Sequence, residues 1–287
     1  MDGGPITTLD LFERWDSCWP ALEAIARQAR EGGLADGLPI ESLRVLPPVS
    51  PRQIICSGAN YRTHVIDIMV DHEAASDPTL SREERRRQAE RIMDHRAAEG
   101  QPFAFVKPYS ALLAPFDDLT VPADSTQLDW ELELGVVIGK PARRVSRDEA
   151  LSHVAGYVVT NDISARDHIS RPDFPSLGLD WISGKGGPGF LPIGPYIVPA
   201  RFIADPQNLM ISLKLNGQVM QRESTANMIF PIARLIEFLS THMQLLPGDV
   251  ICTGSPQGNG THYGRFLRPG DVLEGAIDGL GVQRNRC

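Results

Sequence analysis

The sequence predicts an α+β fold that is mainly β with some α, and three observations carry that prediction. Short apolar runs bounded by Gly, Pro, Asn and Asp recur from residue 54 onward, the pattern of strands and turns. Residues 209–215 and 218–222 flank Asn216-Gly217, a two-residue pair that favours a tight β-hairpin. Segments with helical spacing are few, and no strand–helix–strand rhythm marks a parallel α/β sheet. With 287 residues, 22% charged and 42% hydrophobic, the chain is long enough for a sizeable core and has ordinary globular composition.

The elements follow in order. Residues 1–51 read as a small leading segment, in which Leu22, Ile25, Ala26 and Ala29 give a helix over about 20–30 that Gly32-Gly33 ends, with packing as its role. Residues 52–287 read as the main domain. The run Ile54-Ile55-Cys56-Ser57 is a strand that breaks at Gly58 and delivers Asn60, Tyr61, Arg62 and His64 just past its end, where folds often place chemistry. His64 and Asp67, three residues apart, form an imidazole–carboxylate pair if that turn is helical; otherwise His64 is a surface group.

Residues 71–100 are highly charged. Ser81 and Glu84 form a capping-box pattern, and Ala89, Ile92, Met93 and Ala97 give a narrow apolar stripe. This is a solvated helix, or a lid between His64 and the next strand. The β pattern resumes at residues 103–107, runs through 128–139, breaks at Pro141 before a short helix capped near Ser146, and returns at 154–163. A helix over 231–242 precedes the turn Leu246-Pro247-Gly248-Asp249, which leads into the strand-like run 250–254.

Composition excludes several roles. A net charge of −8 argues against nucleic acid or an anionic membrane surface as the main partner. No apolar stretch reaches the roughly 18 residues of a membrane span, and no basic segment followed by an apolar run opens the sequence. The four cysteines lack metal spacing and fit a reduced, cytoplasmic setting. Gly184-Lys185-Gly186-Gly187-Pro188-Gly189 has the letters of a dinucleotide loop, but the prolines that follow forbid the helix such a loop needs. Lys185 in this glycine-rich stretch remains a basic group that a ligand can approach.

The run 128–139 alternates apolar and acidic residues at period two, which puts Glu131 and Glu133 on one face, roughly 7 Å apart at the backbone. By itself this also describes an antiparallel strand with one wet face. A third carboxylate, Asp162, ends the next strand-like segment. If the three converge, like charges in a dry site repel and raise one another's pKa values, and a divalent cation resolves the conflict. All-oxygen ligation points to magnesium or manganese, with calcium less suited.

Five motifs then stand in register with one family. Gly58-Ala59-Asn60-Tyr61 with His64, Trp130-Glu131-Leu132-Glu133-Leu134, Gly156-Tyr157 with Asn161-Asp162-Ile163-Ser164-Ala165-Arg166-Asp167, Gly184-Lys185, and residues 246–256 resemble the fumarylacetoacetate hydrolase family. The resemblance implies a mixed β-sandwich roll, usually dimeric, with magnesium or manganese held by Glu131, Glu133 and Asp162. It implies a His64 loop that closes with Asp67, where the family more often has Glu, and a substrate-facing Lys185. Tyr61, Arg62, Arg166, Gly254 and Ser255 are the substrate contacts it implies. His168 and Ile169 stand where the family often carries Gln, and the loop 258–264 is not its commonest form.

The expected activity is hydrolysis of a C–C bond in a small 1,3-dicarbonyl acid such as an acylpyruvate. His64 and Asp67 would activate the water, the metal would stabilise the enolate leaving group, and Lys185 would neutralise developing charge. The same site logic serves decarboxylation of oxaloacetate or tautomerisation of an oxo acid without an attacking water. A non-catalytic metal-binding scaffold is the reading from another class.

Overall fold

A computed structural model describes residues 7–33, 37–76 and 79–287. Two helices lead, α1 (Thr8–Glu13) and α2 (Trp15–Arg30). Helix α2 begins five residues before the expected start and carries Pro20 inside it; a proline there removes only one backbone hydrogen bond, near the helix start. Of its expected apolar stripe only Leu22 and Ala26 are half-buried, whereas Ile25 and Ala29 are exposed, so the packing role assigned to the stripe holds for half of it. Helix α1 was marked in sequence only by Thr7 and Asp10, which form its capping box.

Strand β1 (Ile54–Gly58) leads into α3 (Arg62–Ser76), and α4 (Arg82–Glu99) follows with the expected Ser81–Glu84 capping box. The stripe of α4 is rotated from its expected position: Ala89 and Met93 are buried, while Ile92 and Ala97 face solvent. Ala89 and Met93 pack with Val65, Ile66 and Val70 of α3 against Ile229, Phe230 and Leu235, a satellite core separate from the main one.

Next come β2 (Phe103–Lys107), β3 (Leu112–Leu113), β4 (Leu128–Asp129) and β5 (Leu132–Ile138). The expected single strand over 128–139 is therefore two. Trp130 and Glu131 leave the ladder because Asn161 takes over one backbone group, its Oδ1 accepting from Glu131 N at 2.9 Å. The short α5 (Arg147–Ala150) has Ser146 at its N-cap, yet the Ser146 hydroxyl donates to the Glu149 carboxylate (2.7 Å) rather than capping the backbone. Then follow β6 (Val154–Asn161), β7 (Ser164–Ala165), α6 (Arg166–Ile169), α7 (Trp181–Lys185), β8 (Leu191–Pro192) and β9 (Val198–Pro199). The hairpin β10 (Met210–Leu215) and β11 (Gln218–Ser224) turns where expected, with Asn216 at φ 52° and Gly217 at φ 83°, the left-handed values a two-residue turn demands. Helix α8 (Ile232–His242), β12 (Val250–Cys252), α9 (Gly260–Tyr263), β13 (Val272–Ile277) and β14 (Val282–Arg286) complete the chain.

The strands form a six-stranded sheet ordered β2-β1-β12-β5-β6-β9, a four-stranded sheet ordered β11-β10-β13-β14, and two short pairs, β3-β8 and β4-β7. The central strands β5, β6 and β12 are buried throughout, and the second sheet alternates buried and half-exposed residues, as a one-sided antiparallel sheet does. At Gly275 of β13 an added Cβ would meet Leu132, so the two sheets touch where β5 begins. The α+β class holds, with a two-sheet core and the helices at its margins. Among the described residues, no helix is long and apolar enough to cross a membrane.

Candidate functional site

Strands β5 and β6 are antiparallel neighbours with Glu133 opposite Thr160 and Leu132 opposite Asn161, which brings the residue after β6, Asp162, beside the start of β5. Asp162 N donates to Glu131 O at 2.8 Å, locking the two ends together. Carboxylate oxygens of Glu131, Glu133 and Asp162 consequently lie within 4.8 Å of one another, and all three residues are buried. The acidic face that sequence alone left open as wet or inward is inward.

Among the described residues, three cations pair with this cluster. Lys185 Nζ donates to Glu131 Oε2 (2.8 Å) and Asp162 Oδ2 (2.6 Å). Lys107 Nζ donates to Asp162 Oδ1 (2.5 Å) and to Ile163 O (3.0 Å). Arg166 pairs with Glu131 Oε1 through Nη2 and donates from Nε to Asp129 Oδ2 at 2.9 Å. Lys185 is not in a loop, as the glycines around it imply, but ends α7, whose start Asp180 caps by accepting from Ser183 N. It is 2% exposed, so its ammonium faces the carboxylates rather than open solvent.

Charge accounts for the protonation pattern. Burial alone would raise the Glu131 carboxyl, but Arg166, Lys185 and His64 outweigh it and hold the group at about 2. Burial would lower Lys185, yet Asp162 and Glu131 keep its ammonium above the usual lysine range. Glu133 is the exception. Burial, with Asp162, Cys252 and Glu131 nearby, pushes its carboxyl well up. Its Oε2 accepts only a backbone bond, from Gly254 N at 2.7 Å, and no cation pairs with it among the described residues. Three buried carboxyls with one left uncompensated fit a hard divalent cation, which all-oxygen donors favour. Glu131, Glu133 and Asp162 would hold it.

A cavity of about 310 Å³ opens beside this cluster, walled by His64, Asp67, Ile68, Arg166, Asn259, Thr261 and His262. Arg166 belongs to both, and so joins the cavity to Glu131. His64 and Asp67 sit on the first turns of α3, as the helical reading required, but among the described residues no hydrogen bond joins them. The Asp67 carboxylate instead accepts from Gln257 Nε2 and from Arg86 Nη1 (3.3 Å). Asp67 acts on His64 through charge alone, consistent with a side chain one methylene shorter than Glu. Burial lowers the imidazole below its usual 6.5, against the pull of the Glu131 carboxylate.

The remaining expected contacts are scattered. Tyr61 is fully buried behind the site, its hydroxyl raised by burial and by Glu133 and Glu223. Arg62 pairs with Asp94 of α4 at 2.7 Å. Ser255 accepts from Gln221 Nε2 (2.8 Å). Neither Tyr61, Arg62, Ser255 nor Gly254 lines the cavity, although Gly254 touches Glu133 through its N–H.

Two residues were missed. Lys107 shares a face of β2 with Phe103 and Phe105 by strand alternation, and a lysine closing an apolar face is the signal that could have found it. Asp129 stands two residues before Glu131 and is fully buried. Replacing Lys107 with Met breaks one buried ion pair, which typically costs about 3–5 kcal/mol. Urea unfolding should show that loss in metal-free protein, with Mn2+ restoring part of it as it takes over compensation of Asp162; equal stability of variant and parent would contradict this.

A two-sheet core with a buried carboxylate triad where β5 meets the end of β6 defines an α+β protein with a candidate divalent-metal centre. The family model described as fumarylacetoacetate (FAA) hydrolase C-terminal matches residues 53–287, and the chain belongs to the fumarylacetoacetate hydrolase family. It is 44% identical over 189 residues to a 2,4-didehydro-3-deoxy-L-rhamnonate hydrolase of Sphingomonas sp. (strain SKA58), a match spanning 65% of each chain. It is 35% identical to the human mitochondrial oxaloacetate tautomerase FAHD2B, over 93% of this chain and 76% of that one. The solved fumarylpyruvate hydrolase of Pseudomonas aeruginosa in complex with Mn2+ and pyruvate superposes with a TM-score of 0.66 at 28% identity, covering 83% of this chain and 90% of that one. These relatives are enzymes, hydrolases and a tautomerase among them.

Proposed function

We propose that the chain is a divalent-metal-dependent hydrolase that cleaves a C–C bond in a small acylpyruvate-like 1,3-dicarbonyl acid. The convergence of Glu131, Glu133 and Asp162 beside a cavity walled by His64 and Arg166 carries this reading. Magnesium or manganese, when bound, supplies Lewis acidity toward the oxo-acid oxygens. Arg166, which lines the cavity and keeps Nη1 free of protein partners among the described residues, orients the substrate carboxylate. His64, held neutral by burial, takes a proton from water, with Asp67 favouring the imidazolium that forms. Lys185 steadies negative charge that develops near Glu131 and Asp162.

A second reading is oxaloacetate tautomerisation. It is favoured by the engagement of Asp67 with Gln257 and Arg86, since moving a proton between carbon and oxygen needs His64 as a base but no activated water. The human relative that matches along most of this chain is named for that reaction. The four free thiols support the cytoplasm as compartment. A homodimer belongs to the same reading, supported by exposed Phe103 and Val106 on the sheet-edge strand β2 and exposed Ile182 on the neighbouring α7.

The test is a panel of acylpyruvates and oxaloacetate assayed before and after EDTA treatment. Turnover that stops with EDTA and returns with Mg2+ or Mn2+ is expected, with calcium restoring less. Metal-free protein as active as the loaded form, or no turnover across the panel, would overturn the proposal.

A further inference from the structure

Asp129 performs no step described so far, yet its carboxylate accepts five hydrogen bonds in a fully buried position. Oδ1 accepts from Trp130 N (2.8 Å) and from Gly260 N. Oδ2 accepts from Arg166 Nε (2.9 Å), Thr261 N (3.2 Å) and Thr261 Oγ1 (3.0 Å). Two things far apart in sequence therefore meet on one carboxylate: the arginine that pairs with Glu131, and the turn 259–263 that carries Thr261 and His262 into the cavity wall. The approach is close: a Cβ on residue 260 would lie 2.3 Å from Arg265 O and 2.6 Å from Asp129 Oδ1, so the turn and the carboxylate together require glycine there.

We propose that Asp129 is a positioning residue that joins Arg166 and the 259–263 turn into one rigid unit. The guanidinium is thereby aimed in advance at the carboxylate of the substrate, at a fixed distance from the wall that meets its distal end. The inference rests on the oxo-acid reading above. An arginine gripped at Nε by a carboxylate loses most of its rotamer freedom before ligand arrives, so less order remains to be imposed on binding. The turn gains a single conformation from the same contact.

Asp129→Asn is the discriminating change. It keeps the shape, but the amide nitrogen meets N–H donors in either orientation: Trp130 and Gly260 on one side, Arg166 and Thr261 on the other. In Mn2+-loaded protein the Kd for oxalate, measured by calorimetry, should rise roughly 10–100-fold, as loss of a charged hydrogen bond does. The Mn2+ Kd should move less than about threefold, and amide exchange at Gly260 and Thr261 should accelerate. In an Arg166→Gln background the same change should weaken oxalate by less than about threefold further, because both substitutions remove one interaction.

Oxalate affinity unchanged in Asp129→Asn, or effects that multiply in the double variant, would overturn the proposal. If the unmodified Mn2+-loaded protein binds no oxalate, the oxo-acid reading fails instead, and amide exchange at residues 260 and 261 still judges whether Asp129 holds the turn. Should Asp129→Asn not fold, Thr261→Val deletes one of the five bonds. It should accelerate exchange at Gly260 and weaken oxalate a few-fold; no change in either would equally overturn it.

Discussion

Replacing His64 with alanine is expected to lower kcat for acylpyruvate hydrolysis by roughly 10²–10⁴, the usual contribution of a positioned general base. KM should change little, because Arg166 rather than His64 pairs with the substrate carboxylate. The pH dependence follows from sign. Burial lowers the His64 pKa below 6.5, and the imidazole acts as a base only when neutral. Activity should therefore be flat at neutral pH and fall as pH drops through a midpoint below 6.5. The alanine variant should keep its residual rate without that acid limb. A wild-type profile with its midpoint above 6.5, or a variant with full hydrolytic rate, would remove His64 from the chemistry. Both proposed reactions use His64 as the base, so oxaloacetate tautomerisation retained in a variant that has lost hydrolysis would contradict the second reading.

The second large effect is expected at Glu133. Changing it to Gln substitutes a neutral amide for the one carboxyl of the triad that no cation pairs with. The Mn2+ affinity should fall by roughly 10²-fold or more, on the scale of a lost charge-assisted contact in a buried site. Catalysis should fall with it, whereas metal-free stability should hold or rise, because a buried, desolvated carboxyl has been replaced by a group that never ionises. Circular dichroism and urea unfolding of the metal-free protein test that second limb; a marked loss of stability would show that Glu133 is structural in its own right.

Much of the site could be read from sequence because strand periodicity is a strong constraint. Glu131 and Glu133 were two residues apart in an alternating run, and Asp162 ended the next run, so an antiparallel pairing was enough to bring them together. The actual geometry is less regular. The strand breaks at Trp130 and Glu131, with Asn161 replacing a ladder bond, and such local substitution of a side chain for a backbone partner leaves no periodic mark. The turn carrying His64 and Asp67 is helical, the condition on which their pairing depends, but their separation is not legible in sequence, since Gln257, distant along the chain, captures Asp67. Lys185 was expected in an open glycine-rich loop and lies buried at a helix end, because Asp180 starts a short helix among those glycines. Lys107 and Asp129 were passed over for one reason: a charged residue within a strand pattern reads as solvent-facing unless its partner across the fold is known. In the leading segment, helix α2 extends on both sides of Pro20, where local propensity argued for a start.

Both proposed reactions require Glu131, Glu133 and Asp162 to hold a divalent cation. Titration of Mn2+ into EDTA-treated, dialysed protein, followed by the loss of the free-ion EPR signal, measures it directly. The expected result is one tight site per chain in the parent and in His64→Ala, displaced by Mg2+ and lost in Glu133→Gln. Equal Mn2+ binding by parent and Glu133→Gln, or none by the parent, would contradict it.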